Sequence, residues 1–326
     1  MTTSPKHIYK FAIVGGGPSG LCFYHELKNK LGLKDNDIKI FERKRLCASV
    51  ETYGKFVKNR KSAKSKRWDF LVSGKYYGKD VANYFINKFA VDCNFSGIKK
   101  ITKVLDTNNY ILVTNNDEKF YTHNVVLATG LKPKGIPAFH EVFSEKFDCT
   151  NWHRAELANI DFTKHEIIFI GSGDNVLFKA MNLAEFLINK YKNLPNSPII
   201  ILVKRNIDQD TNPLFRKVVQ SFVKKNIIKI IDNCWDVKKV NLNKNGFITH
   251  VIAGNNRYTV KAPEGAYAAV YIGNEANIPL LENCGIDNLI CIGDLRLCLD
   301  GKVCSITSAL ENAQDVVDKL KTNQVD

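Results

Sequence analysis

The chain of 326 residues has no C-x-x-C pair, no histidine cluster of the H-x-x-E-H kind and no long apolar run. Each absence removes a class of function. A membrane span needs about 18 consecutive apolar residues, and Ile199 to Val203 is typical of the longest run present. Met1 to Lys10 is polar and leads straight into a strand-like segment, which leaves no room for the hydrophobic region of a secretory signal. Nine cysteines are an odd, irregularly spaced set, the two nearest in sequence being Cys298 and Cys304. Without a secretory signal they read as free thiols in a reducing cytosol, so a cytoplasmic location is expected. Seven histidines without ligand spacing give metal catalysis no support, and no metal site is expected. Acids are also scarce: 33 Asp and Glu face 47 Lys and Arg, a formal net charge of +14.

What is present suggests a soluble two-domain protein, at about 150 residues per domain. The chain is 44% hydrophobic and 25% charged, enough to bury a real core. Its excess positive charge is concentrated. From Arg43 to Arg67 stand Arg43, Lys44, Arg45, Lys55, Lys58, Arg60, Lys61, Lys64, Lys66 and Arg67 against the single acid Glu51. Such a balance favours an acidic partner: nucleic acid, an anionic membrane face, an acidic protein or a phosphorylated ligand. No recognised nucleic-acid module accompanies it, which ranks nucleic acid below the others.

Short apolar strands alternate with amphipathic helices, the pattern of α/β layers around parallel sheets. Lys10–Val14 reads as a strand, Ser19–Lys30 as a helix and Asp37–Phe41 as the next strand. Tyr110–Thr114 and Lys119–His123 flank the turn Asn115-Asn116-Asp117, and Asn124–Ala128 follows as a separate buried strand. A second strand–Gly–helix unit runs from Glu166 through Gly171-Ser172-Gly173 to about Lys190, with Pro198–Val203 as its next strand. Pro133, Gly135 and Pro137 mark a crossing into this unit, and Ala262-Pro263-Glu264-Gly265 a crossing back. Leu289–Leu320 then reads as a strand, a Gly-Asp turn and a helix. The expected fold is α/β, with two Rossmann-like dinucleotide-binding domains. One is discontinuous, 1–132 with 264–326, and the other, 133–263, is inserted into it.

The strongest motif is Gly15-Gly16-Gly17-Pro18-Ser19-Gly20. Gly15 permits the tight turn, Gly17 lets the backbone approach a pyrophosphate, and Gly20 lets the helix pack on the strand. The helix N-terminus offers free N–H groups to the phosphates. Glu42, followed by Arg43, ends the next strand, where a carboxylate can accept from ribose hydroxyls. Gly171-Ser172-Gly173-Asp174-Asn175-Val176 is a second, less regular copy, and Val176 is expected to hinder close helix–strand packing. Its next strand ends in Lys204-Arg205, cations suited to a 2′-phosphate, which favours NADPH over NADH.

Two such turns resemble a two-dinucleotide flavoprotein, and other residues extend the resemblance. Ala128-Thr129-Gly130 matches the second FAD-contact motif of that superfamily. Cys291-Ile292-Gly293-Asp294 matches its late Gly-Asp motif, where the aspartate binds the flavin ribityl chain. Gly301 to Ala309, with Val303 and Thr307, opens a last helix whose N-terminus would face the flavin. Order and spacing resemble the low-molecular-weight thioredoxin reductases and the ferredoxin–NADP reductases of thioredoxin-reductase type, over nearly the whole chain. The resemblance implies FAD, NADPH and a homodimer. It implies hydride delivery to flavin with no side chain acting as acid, base or nucleophile.

The departures sharpen this expectation. Cys149-Thr150-Asn151-Trp152 stands where thioredoxin reductases carry their C-x-x-C, which excludes that mechanism. Bacillithiol-disulfide reductase-like members carry a cysteine where this chain has Ser19. The flavin-side Gly-Gly-x-Leu loop is replaced by the basic segment Lys44–Arg67, read as docking an acidic electron carrier, such as ferredoxin or flavodoxin, or an anionic small-molecule substrate. Two further readings stay open. Phe143–Arg154 and Lys66-Arg67-Trp68-Asp69 loosely resemble flavin-dependent monooxygenases, with Glu145 and Cys149 in place of the expected glycine and histidine. The irregular second turn also admits a nucleotide-binding regulatory protein without turnover.

Overall fold

A computed structural model of the chain describes residues 7–51, 55–58, 74–89, 91–142, 146–149, 154–171, 173–191, 198–203, 213–232, 234, 236–272, 274–302 and 306–322. The chain forms two compact units, Met1–Lys132 with Ala276–Asp326, and Pro133–Glu275.

The chain begins with Ile8–Val14 (β1), Pro18–Leu31 (α1), Ile38–Phe41 (β2) and Ala48–Glu51 (α2). Lys55–Lys58 (β3) pairs with Gly74–Tyr77 (β4), ahead of Gly78–Lys88 (α3) and Cys93–Asn94 (β5). Ile98–Lys103 (β6), Tyr110–Thr114 (β7), Lys119–Leu127 (β8) and Leu131–Pro133 (β9) complete this stretch. Next come Pro137–His140 (α4), Arg154–Ala158 (α5), Glu166–Ile170 (β10), Asp174–Lys190 (α6), Ile199–Leu202 (β11) and Pro213–Lys224 (α7). Strands Ile228–Ile231 (β12), Val237–Leu242 (β13), Ile248–Ala253 (β14), Asn256–Thr259 (β15) and Ala266–Val270 (β16) follow. The chain ends with Asn274–Ala276 (β17), Leu280–Glu282 (β18), Ile290–Cys291 (β19), Gly293–Leu299 (α8) and Ile306–Thr322 (α9).

The first sheet has the order β18-β6-β7-β8-β1-β2-β5, with β19 also on β8. Strands β5, β2, β1, β8 and β19 are parallel neighbours, the doubly wound arrangement. Period-two side-chain alternation serves both faces of β1. Phe11 and Ile13 enter a core with α1, α3 and α9, while Ala12 and Val14 enter the core on the other face. α1 stops where Gly32 takes φ 65 and returns its N–H to Lys28 O. Strand β8 is continuous, joining the two segments expected at Lys119–His123 and Asn124–Ala128. Its first half pairs with β7 and its end with β19, while β1 spans both halves.

The second sheet has the order β12-β11-β10-β16-β14-β13, with β15 on β14. β10 and β11 are buried on both faces, and apart from Glu166 at the start of β10 they read as unbroken apolar runs. Ile167, Phe169, Ile199 and Ile201 pack with α6 and α7, and Ile168, Ile170, Ile200 and Leu202 pack with the antiparallel strands. The expected return at 263/264 is displaced to 275/276. The reason is β16: it pairs along its full length with β10, so it belongs to the inserted unit. No helix of the described residues is long and apolar enough to cross a membrane.

Candidate cofactor sites

In the first unit the chain turns sharply at the carboxyl end of β1. Gly15 has φ +117, and a Cβ there would run into Ala128 O. Its N–H is held by Phe41 O at 2.8 Å. A Cβ on Gly20 would run into Gly15 O, so glycine at 20 seats the helix on the turn. Gly17 differs: it caps α1 in extended backbone, and among the described residues no atom lies within 4 Å of where a Cβ would stand. Pro18 occupies the first turn, and no side chain caps the helix. Among the described residues nothing covers the amide end of α1 at Gly17, as an anion site requires.

Glu42 organises this turn. Its Oε2 accepts from Gly16 N–H at 2.8 Å, and its Oε1 accepts from Arg43 N–H at 2.8 Å and Lys44 N–H at 3.1 Å. The expected ribose acceptor is thus first a clamp on its own loop, with a lone pair left on Oε2 for a ligand hydroxyl. Leu46 Cδ2 closes over Gly16, where a Cβ would lie 2.6 Å from it.

Thr129 and Gly130 follow β8, Gly130 at φ 64. Thr129 Oγ1 is buried and has no hydrogen-bond partner among the described residues. A buried hydroxyl of this kind is normally satisfied, so a polar ligand group against Thr129 fits the site. Asn277, not singled out from sequence, holds this segment: its N–H donates to Gly130 O at 3.3 Å and its Nδ2 to Thr129 O at 3.4 Å. No local pattern marks it, because Thr129 lies 148 residues away in sequence.

Gly293 sits at φ +68 against Ser19, whose Cβ would be 2.7 Å from a Cβ on Gly293. The structure thus brings the first and the late motif together. Gly293 N–H donates to Asn312 Oδ1 of α9 at 2.9 Å. Burial raises the Asp294 carboxyl above its ordinary value. The expected Gly-Asp turn is instead the start of α8, and the last helix is described over Ile306–Thr322. Val303 lies outside the described residues, and Thr307 is described for its backbone in α9.

In the second unit Gly171 has φ +135, and a Cβ there would run into Tyr271 O. Gly173 caps α6 in extended backbone, and among the described residues no atom lies within 4 Å of where a Cβ would stand. Asp174 and Asn175 form the first turn of α6. Val176 does not hinder packing as expected. It is fully buried in the core, and its Cγ2 fills space that a Gly171 side chain would need, 3.2 Å from that Cβ. Lys204 and Arg205, after β11, lie outside the described residues. Cys149 is fully buried and burial pushes its thiol up, the setting of an inert cysteine.

Sequence reasoning also missed Lys179 on α6. Its Nζ donates to Tyr271 OH at 2.5 Å and lies 4.7 Å from the centre of that ring. Burial lowers its ammonium to about 8, against smaller opposing effects of Cys149 and Glu156. Helical spacing alone cannot distinguish it from a solvated lysine, because Tyr271 comes from another element.

A family model described as pyridine nucleotide-disulphide oxidoreductase matches residues 9–288. No curated protein matches. Among solved structures, the bacillithiol disulfide reductase Bdr of Bacillus cereus is similar with a TM-score of 0.72 at 13% identity, covering 97% of this chain and 99% of that one. Thioredoxin reductase of T. acidophilum gives 0.69 at 15%, covering 98% and 100%. Thioredoxin reductase of Lactococcus lactis gives 0.67 at 16%, covering 97% and 99%. At these identities the likeness shows the fold, and it agrees with the resemblance read from the motifs.

Proposed function

The chain belongs to the pyridine nucleotide-disulphide oxidoreductase family, and we propose that it is an FAD-containing, NADPH-dependent oxidoreductase passing electrons directly from flavin to an external acceptor. The observation that carries this reading is the duplicated turn. Each unit has a left-handed glycine at a strand end, Gly15 or Gly171, then an unobstructed glycine cap, Gly17 or Gly173, opening a long helix.

In the first unit the amide end of α1 would hold the FAD pyrophosphate, Glu42 the ribose, and Thr129 and Asp294 more of the cofactor's hydroxyl groups. When bound, FAD supplies the two-electron relay between nicotinamide and acceptor. Gly171, Gly173 and the start of α6, with Asp174 and Asn175, would hold the NADPH pyrophosphate, and Lys204 and Arg205 its 2′-phosphate. Direct transfer is favoured because the sequence has no C-x-x-C and Cys149 is buried. The basic segment after Glu42 favours an acidic carrier protein or an anionic small molecule as acceptor. Residues 52–54 and 59–67 of that segment lie outside the described residues. A homodimer belongs to the same reading, and light scattering of the purified chain checks it.

Purified full-length protein should be yellow with FAD and bleach under anaerobic NADPH. Rapid mixing of the reduced protein should then show fast reoxidation by an acidic carrier, slowing steeply with salt, and slow reoxidation by oxygen. A folded protein that refuses FAD overturns the reading in favour of a regulatory nucleotide binder. Oxygen as the preferred acceptor overturns it in favour of monooxygenase chemistry.

A further inference from the structure

Phe95 follows the two-residue strand β5 and is 52% exposed, although its side chain is large and apolar. Single exposed hydrophobic residues are ordinary, so its position must carry the argument. β5 pairs in parallel with the carboxyl end of β2, Phe41 opposite Asn94. Glu42 N–H donates to Asn94 O at 2.9 Å, and Gly97 N–H donates back to Glu42 O at 3.1 Å. Ser96 N–H is held by Asn94 Oδ1 at 2.8 Å. Gly97 has φ +65, and a Cβ there would lie 3.1 Å from Arg43 Cα. Residues 94–97 therefore wrap the Glu42–Arg43 backbone, with Phe95 between its two anchor points. No aromatic ring or cation stacks on Phe95 among the described residues.

The order along the sheet assigns the rest. The glycine turn follows β1, Glu42 follows β2, and Phe95 follows β5, three adjacent parallel strands opening on one edge. Ligands of such sheets bind outside the carboxyl ends of the strands. With pyrophosphate at α1 and ribose at Glu42, the next group along a dinucleotide is its base, and the next side chain along the edge is Phe95. The turn 104–109 lies at the opposite edge, since Tyr110 pairs with Thr122, which pairs with Tyr9 at the start of β1. Leu105, 70% exposed in that turn, has no such relation to the site.

We propose that Phe95 is the stacking face for the adenine base of the dinucleotide bound in the first unit. The inference rests on the reading of that unit as an FAD site. Stacking of a base on an aromatic side chain is removed by alanine and tolerates exchange of one aromatic for another.

The test uses the full-length chain freed of flavin and measures binding of FAD, AMP and FMN by calorimetry. Phe95→Ala should weaken FAD and AMP alike, by about tenfold or more, with FMN unchanged. Phe95→Trp should keep both affinities at the parent level and add, to the emission of the three native tryptophans, a component that AMP quenches. Leu105→Ala, the control, should change nothing. Unaltered FAD and AMP affinity in Phe95→Ala overturns the stacking role and leaves the FAD reading intact. A folded parent chain that binds neither FAD nor AMP overturns both.

Discussion

Glu42 Oε2 accepts the Gly16 N–H at 2.8 Å, tying the end of β2 to the turn that follows β1. The same carboxylate accepts from Arg43 and Lys44 through Oε1, so three amides depend on one side chain. Glu42→Gln must set its NH2 against one of these donors whichever way it is turned. The flavin-free protein should lose about 1–2 kcal/mol, within the usual cost of an unmet partly buried donor. Urea unfolding without cofactor checks this. If the melt is unchanged and only FAD affinity falls, Glu42 acts on the ligand alone.

Two glycines of one motif should fail at different levels. A Cβ on Gly20 meets backbone, Gly15 O, which cannot swing aside, so Gly20→Ala should cost about 3 kcal/mol or more. Gly17 has φ −77 and ψ 179, open to any residue, and no atom of the described residues near its missing Cβ. Gly17→Ala should therefore keep the flavin-free fold within about 1 kcal/mol. It should still weaken FAD, because the methyl group occupies the approach of the pyrophosphate. Thermal melts paired with FAD titrations separate the two outcomes; equal losses of stability would refute the division.

The sequence made the glycine turns and Glu42 legible because the device is local: strand, turn and helix lie within one short window. What it hid depends on distant partners. β16 is an apolar run after Pro263 that suits either sheet, and only its pairing with β10 decides the matter. Gly293 against Ser19 joins the two ends of the chain. β5 has two residues, too few for any alternation to register. The expectation about Val176 failed for a related reason: the close contact it was thought to obstruct is relieved by Gly171, five positions earlier and on the strand side.

Cofactor choice in the second unit should follow the cations after β11. Replacing Lys204 and Arg205 together by Ala should raise the KM for NADPH far more than that for NADH, with kcat little changed. Side chains that contact only the 2′-phosphate supply uniform binding and leave the chemical step untouched. Steady-state kinetics with both nucleotides decides it. Equal effects on the two would place the phosphate site elsewhere.

Lys179 should give the protein a stability gain in mild alkali. Burial lowers its folded-state ammonium to about 8 from 10.5. Between those values the unfolded chain holds more protons than the folded one, so this group's contribution to stability rises with pH, by at most roughly 3 kcal/mol. Cys149 and Tyr271 act in the opposite sense. Burial raises both, so each stays protonated in the folded state while the unfolded chain ionises. The comparison must therefore be between the parent and Lys179→Met, in which those two contributions cancel. Urea unfolding at pH 7 and pH 9.5 should show the stability difference shifting toward the parent as pH rises. The variant also deprives Tyr271 of the donor at 2.5 Å, which offsets the two proteins at every pH, and the change in that bond when the amine loses its proton is already contained in the lowered folded-state value. A difference that does not move with pH would mean that Lys179 keeps its charge in the folded protein up to its ordinary range.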